Sequence, residues 1–402
     1  MADPFAGAIG SENVQPAGGR IDGAEIERSL RPGSPAEVAD CLRIARENGL
    51  ALVVRGGGSK LHWGNPLDAR RVSLLDTGRL GQPLEIQPDE GIATLAAGLP
   101  VREVSAKLAQ LGLCSRLDSV HERASVGGAV AADPVSPEHG LDRRLRIDLL
   151  GLQVALSNGE LTRCGGRVVK NVTGFDLVRL YCGSLGTLGV ITEVTLRVHP
   201  VPESRRLLSR SCGSAEAAMR EAGAALAGPL RPAAVALRPA PEAGLAGGAE
   251  LAWLFEGRAE AVDEAVRDFP GESRELSAWD AVGAEIGRRP AGAAGLRIAA
   301  RPTDGLEILR LLAELGGPDS LRLALPGAGL VFARLQEDCV EAWMETAGRR
   351  GWAVFLESAS PELRRRVDVF GPAPDTIGLM RALKQRFDPD RVLAPGRFLA
   401  GI

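Results

Sequence analysis

The chain has 402 residues, enough for two or three domains with cores of their own. Its 48 Lys and Arg stand against 51 Asp and Glu, a net charge of -3 that excludes nucleic-acid binding through a whole-surface basic field. No run approaches the ~18 apolar residues of a membrane span. Six cysteines without one C-x-x-C exclude the usual iron–sulfur and zinc spacings.

Residues 1–20 read as a loose leader without the basic and apolar regions of a signal peptide. A helix is predicted over PAEVADCLRIAREN from Pro35, with Val38, Leu42 and Ala45 on one face and Gly49 closing it. Strands at 50–55 and 72–76 flank a glycine run, which suggests a small α/β unit. From Leu84 the texture changes to strand-like runs around one helix at 101–112. That stretch reads as α+β with a mostly antiparallel sheet, ending at His199-Pro200-Val201-Pro202. After Pro202 come a helix at 215–228, strands near 233–237 and 250–257, a further helix, and a linker around 271–294. LRIAAR through WAVFLES then reads β-α-β-β-α-β, a ferredoxin-like order. The tail is a helix followed by a segment stopped by Pro and Gly, and no short repeat is evident. The expected division is 1–20 leader, 21–202 first domain, 203–375 second domain and 376–402 tail.

Three clusters could carry chemistry. Arg55-Gly56-Gly57-Gly58-Ser59-Lys60 follows a buried strand. Its glycines can aim N–H groups inward as an anion nest, with Ser59 as a further donor and Arg55 and Lys60 as charges at the rim. The alternative is a plain glycine turn. The run from Ala124 to Asp133, with Ser125, Val126, Gly127 and Gly128, is small throughout. Either a ligand approaches its backbone or a helix packs tightly on a sheet. The third cluster, Gly183-Ser184-Leu185-Gly186-Thr187-Leu188-Gly189-Val190-Ile191, lies between a predicted helix and a strand. A dinucleotide-binding Rossmann loop needs strand, glycines, then helix, so that reading fails on context. Three separated glycine clusters imply a long ligand with a diphosphate in its middle.

Together, VVRGGGSKL, ASVGGAVAAD, GGRVVKNVTGFDL and GSLGTLGVITEVTL resemble the signature segments of the vanillyl-alcohol oxidase / p-cresol methylhydroxylase superfamily. RFDPDRVLAPGRF resembles the tail that returns to its flavin domain. Within the superfamily the chain is most similar to the FAD-binding subunits of bacterial glycolate oxidases. The resemblance implies an α+β chain: a two-subdomain FAD-binding fold of the PCMH type, a ferredoxin-like cap domain, and a tail packed back on the FAD domain. It implies that residues 55–60 and 125–128 cradle the FAD pyrophosphate through backbone N–H groups. Asp133 joins the cofactor set, as do Gly183, Ser184, Gly186, Gly189, Val190 and Ile191 around the adenine and ribose. Some relatives link the flavin covalently through a histidine where Ser59 stands, so FAD is expected to be non-covalent here.

The chain departs from that pattern between Asp133 and Asp148, a segment near the flavin ring in relatives. A second departure is that none of its four histidines (His62, His121, His139, His199) lies beyond residue 199. Oxidising a 2-hydroxy acid takes a hydride from carbon and a proton from oxygen, and the proton needs a base. His121 and His139 are the candidates beside the second cluster. His62 reads as a surface-loop residue. The resemblance implies glycolate oxidation within a complex, beside a second FAD-binding catalytic subunit and an iron–sulfur subunit, in the cytoplasm or at the inner membrane through partners. No metal site is expected. The alternatives are a stand-alone FAD-linked 2-hydroxyacid or D-lactate dehydrogenase and a flavin-loaded assembly subunit.

Overall fold

The computed structural model describes residues 3–117, 122–138, 144–167, 175–240, 247–267, 269–288, 292–315 and 321–402. The chain divides into two compact units. One comprises Met1–Pro134, Leu145–Val201 and Ala373–Ile402, and the other Val135–Arg144 and Pro202–Pro372. Among the described residues no helix is long and apolar enough to cross a membrane.

The first unit is built on two sheets. In one, Ala24–Leu30, Arg71–Asp76 and Leu52–Arg55 lie side by side and parallel, with Val14–Pro16 antiparallel at the edge. The helix Pro35–Glu47 makes the crossover between Ala24–Leu30 and Leu52–Arg55. Ser34 Oγ accepts from the Glu37 N–H at 3.2 Å while Glu37 reaches back to the Gly33 N–H, which satisfies two otherwise orphaned donors at the helix start. The other sheet is antiparallel throughout, in the order Leu161–Gly165, Leu149–Ala155, Val190–Arg197, Ile92–Ala96, Leu84–Gln87. The parallel and antiparallel halves match the sequence expectation. Apolar side chains such as Leu30, Leu42, Leu75, Leu95, Val154 and Leu196 join one core between them. The tail enters the parallel sheet, for Leu52 donates to Val392 O at 2.7 Å and Ala394 donates to Leu52 O at 2.8 Å.

The second unit is one sheet of eight antiparallel strands. Ala293–Ala299, Arg322–Leu325, Leu330–Gln336 and Ala353–Ser358, with helices Gly305–Leu315 and Val340–Arg349, form the expected β-α-β-β-α-β half. The stretch before it has the same order. Ser204–Cys212, Ala234–Pro239, Ala249–Gly257 and Glu272–Arg274 carry helices Ala215–Ala227 and Ala259–Arg267. The two halves meet where Leu237 pairs with Ala324. The region read as a linker, 271–294, thus holds a strand and the helix Ser277–Gly287. That helix sets Trp279 on the sheet face opposite the four helices just named. Val135 packs into the same layer, and Glu138 pairs with Arg205 at 2.6 Å.

Candidate functional site

The sequence clusters converge in the first unit. The strand Leu52–Arg55 delivers Gly56–Lys60 to an open cleft. Gly56, Gly57, Gly58, Ser59, Lys60, Ser125, Gly128 and Leu185 line it, joined by Ala394 and Arg397 from the tail. A short helix, Val126–Ala132, forms its floor, capped by Ser125 Oγ, which accepts from the Gly128 N–H at 3.3 Å. The helix also carries the third cluster: the Gly183 N–H donates to Val130 O at 3.0 Å and the Leu185 N–H to Ala131 O at 2.8 Å. That cluster follows the helix Leu177–Tyr181 and opens into the strand Val190–Arg197, the order that excludes a Rossmann loop.

Backbone donors divide sharply along the predicted cradle. The Val126 N–H is taken by Leu99 O at 2.9 Å, the Gly127 N–H by Ala97 O at 2.8 Å and the Gly128 N–H by Ser125 Oγ. The N–H groups of residues 126–128 thus join the helix to its own cap and sheet. The N–H groups of Gly56, Gly57, Gly58 and Ser59, by contrast, make no hydrogen bond among the described residues, yet they line the cleft. Successive donors without a protein partner in a concavity are the arrangement of an anion nest.

The glycines serve distinct ends. A Cβ on Gly57 would sit 1.2 Å from Arg123 O, and one on Gly127 would sit 2.7 Å from Ala97 Cβ, so both are closed by the protein itself. A Cβ on Gly128 would meet only Ser125 Oγ at 3.0 Å, which leaves that position open for a ligand. Neither Gly57 nor Gly128 has a positive φ; within the loop only Gly58 does, at 77°. Gly189 is pressed against Val154 Cγ1, 2.5 Å from where its Cβ would be. Val190 and Ile191 pair in register with Ala155 and Val154. Asp133 ends the floor helix at φ 44°. Gly183, Ser184, Gly186, Gly189, Val190, Ile191 and Asp133 do not line the cleft; only Leu185 of the third cluster does.

Charge at the rim also differs from expectation. Arg55 turns away to Asp76, its partner in the parallel register, with Nε at 3.2 Å from Oδ2. Lys60 lines the cleft, its Nζ 4.4 Å from the centroid of the Trp63 ring. Arg397, unassigned from sequence, is buried and donates to Asp22 Oδ2 at 2.7 Å, Trp63 O at 3.0 Å and Leu61 O at 3.2 Å. It fixes the end of the anion loop.

The base candidates His121 and His139 lie outside the described residues. Sequence reasoning passed over His199. Its Nε2 is 2.8 Å from Oδ2 of Asp148, a carboxylate only 1% exposed, and Arg116 Nε reaches the same oxygen at 3.2 Å. Among the described residues no group of three His, Cys, Asp or Glu could hold a metal ion.

Residues 27–165 match the FAD binding domain family. The chain carries an FAD-binding domain. It is 34% identical over 175 residues to an uncharacterized FAD-linked oxidoreductase of Mycobacterium tuberculosis, covering 43% of this chain and 37% of that protein. It is 33% identical over 168 residues to glycolate oxidase subunit GlcE of Escherichia coli, 41% of this chain and 47% of the relative. It is 30% identical over 206 residues to glycolate oxidase subunit GlcD of Bacillus subtilis, 51% of this chain and 43% of the relative. The chain thus spans less than half the length of each of these curated relatives. The fold is similar from end to end to 4-ethylphenol oxidase from Gulosibacter chungangensis. The TM-score is 0.71 at 16% identity, over 98% of this chain and 95% of that one. That places the chain in the fold of PCMH-type FAD oxidases.

Proposed function

We propose that the cleft holds the diphosphate of a non-covalently bound FAD. We further propose that the chain is the FAD-binding subunit of a glycolate oxidase-type complex. The observation that carries this reading is the row of unsatisfied N–H groups from Gly56 to Ser59 above a floor that Gly128 leaves open. Two phosphates need donors and a cation. The loop supplies the donors and Lys60 the cation, while the Gly57 and Gly127 contacts make the cradle rigid before the ligand arrives. Gly183, Ser184, Gly186, Gly189, Val190, Ile191 and Asp133 stand as the adenine and ribose side, reached through Leu185. Ser59 has no nucleophilic nitrogen with which to link the flavin.

FAD, when bound, supplies the acceptor for a hydride from the carbon of a small 2-hydroxy acid, glycolate giving glyoxylate. The hydroxyl proton still needs an acceptor. Residues 200–402 contain no histidine. In this reading the chain relays electrons, and a second FAD-binding subunit completes the hydroxy-acid chemistry. An iron–sulfur subunit takes the electrons onward, since this chain has no cysteine pair spaced for a cluster. The complex would work in the cytoplasm or at the inner membrane through its partners. The test is purified protein alone against glycolate and D-lactate with a dye acceptor, then with a second FAD-binding subunit and an iron–sulfur subunit added. Turnover only in the reconstituted complex supports the relay; robust turnover alone refutes it.

One observation favours a stand-alone dehydrogenase for a 2-hydroxy acid. Asp148 orients His199 as a carboxylate orients a general base. Under that reading His199→Ala abolishes turnover by the isolated chain.

A further inference from the structure

Lys384, one of the chain's four lysines, is buried far along the sequence from the FAD-binding domain match. Its ammonium has three donors, and the structure places three acceptors on it. Thr187 O of the third glycine cluster lies at 2.8 Å, Asp388 Oδ2 at 2.7 Å and Leu393 O of the tail at 3.0 Å. Asp388 completes the knot by accepting from the Val392 N–H at 3.0 Å and the Leu393 N–H at 2.9 Å. Beyond the knot the tail bonds to the strand that carries the anion loop, and then gives Ala394 and Arg397 to the cleft. Arg391 and Ala394 hold positive φ, 53° and 39°, conformations that persist in residues other than glycine only where the surroundings over-determine them.

We propose that Lys384, with Asp388, is a positioning residue for the cofactor cleft. It locks the loop that carries Leu185 to the tail that carries Ala394 and Arg397, so FAD affinity depends on a side chain outside residues 27–165. This rests on the FAD reading of the cleft. Burial lowers the Lys384 pKa, opposed by Asp388 and assisted by Arg391, so its ammonium is lost at lower pH than that of an exposed lysine.

The experiment titrates FAD into full-length apoprotein for the wild type, Lys384→Met and, should the first fold poorly, Lys384→Gln. Val104→Ala serves as a core control matched for melting temperature. At pH 7 the lysine variants bind FAD at least about tenfold more weakly, in keeping with a buried carboxylate stripped of its partner, while the control stays within about threefold. The ratio of wild-type to variant affinity narrows as pH rises through the Lys384 titration, which loss of packing alone would not produce. Variant affinity within threefold of wild type, an equal loss in the control, or a ratio indifferent to pH overturns the proposal. A wild type that binds no FAD refutes the FAD reading instead. The lock is then judged by amide exchange of Val392–Ala394, which Lys384→Met must accelerate in the apoprotein and which, if unchanged, refutes it.

Discussion

Gly57 and Gly128 separate what builds the cradle from what occupies it. In Gly57→Ala the new methyl carbon falls 1.2 Å from Arg123 O, so the anion loop and the 123–125 segment must part by roughly 2 Å in a close-packed setting. Overpacking of that kind costs about 1–3 kcal/mol of stability. The shift also misaims the donors of residues 56–59. A hydrogen bond to a charged group contributes about 1.5–3 kcal/mol, so losing two weakens FAD by about 3–6 kcal/mol, a hundredfold to ten-thousandfold. In Gly128→Val the new Cβ meets only Ser125 Oγ, at 3.0 Å, and the branched side chain is expected to fill the cleft instead. It should melt within a few degrees of wild type and yet lose FAD. Gly213→Ala, with no atom within 4 Å of its Cβ, should change neither property. Thermal melts followed by circular dichroism, with FAD titrations into the same apoproteins, read both quantities. Full flavin occupancy in both cleft variants would mean that the loops are ordinary turns. A collapse of the fold in Gly128→Val alone would mean that its space is not ligand space.

Purified protein is yellow and releases its flavin on acid precipitation; flavin retained in the pellet contradicts the reading drawn from Ser59. The isolated chain turns over glycolate and D-lactate slowly or not at all, because a missing base forfeits about 10²–10⁴-fold in rate, while dithionite still reduces its flavin. Burial, with Asp40 and Glu37 adding to it, pushes the Cys41 thiol up to about 12, and burial raises Cys164 to about 11. At pH 8 both therefore stay protonated in the folded chain and resist iodoacetamide, becoming reactive only on unfolding; peptide mapping that finds Cys41 alkylated in native protein would refute this.

Much of the first unit was legible because its signals are local. Period-3.6 runs gave the helices at Pro35–Glu47 and Val101–Gln110, and glycine clusters marked the loops that meet at the cleft. In the first half of the second unit the two helices and two middle strands were legible, but the repeated order was not. Its last strand, Glu272–Arg274, has three exposed residues and no apolar pattern, so the duplicated order disappeared into an apparent linker. Arg55 misled because its partner, Asp76, is set by parallel strand register and not by sequence neighbours. Lys384 was silent because the carbonyl it holds is 197 residues away.

The glycines show the limit most clearly. Small residues reveal that something approaches the backbone, but not what approaches it. At Gly57 it is the Arg123 carbonyl, at Gly127 the Ala97 side chain, and at Gly128 nothing from the protein beyond the Ser125 hydroxyl. The same composition therefore encodes a closed joint and an open position one residue apart. The N–H groups of both residues are taken by the protein, whereas those at 56–59 have no partner among the described residues. The proposed diphosphate stands on the loop at 56–59, whose half-buried residues leave successive N–H donors without a protein partner, and not on the glycine count.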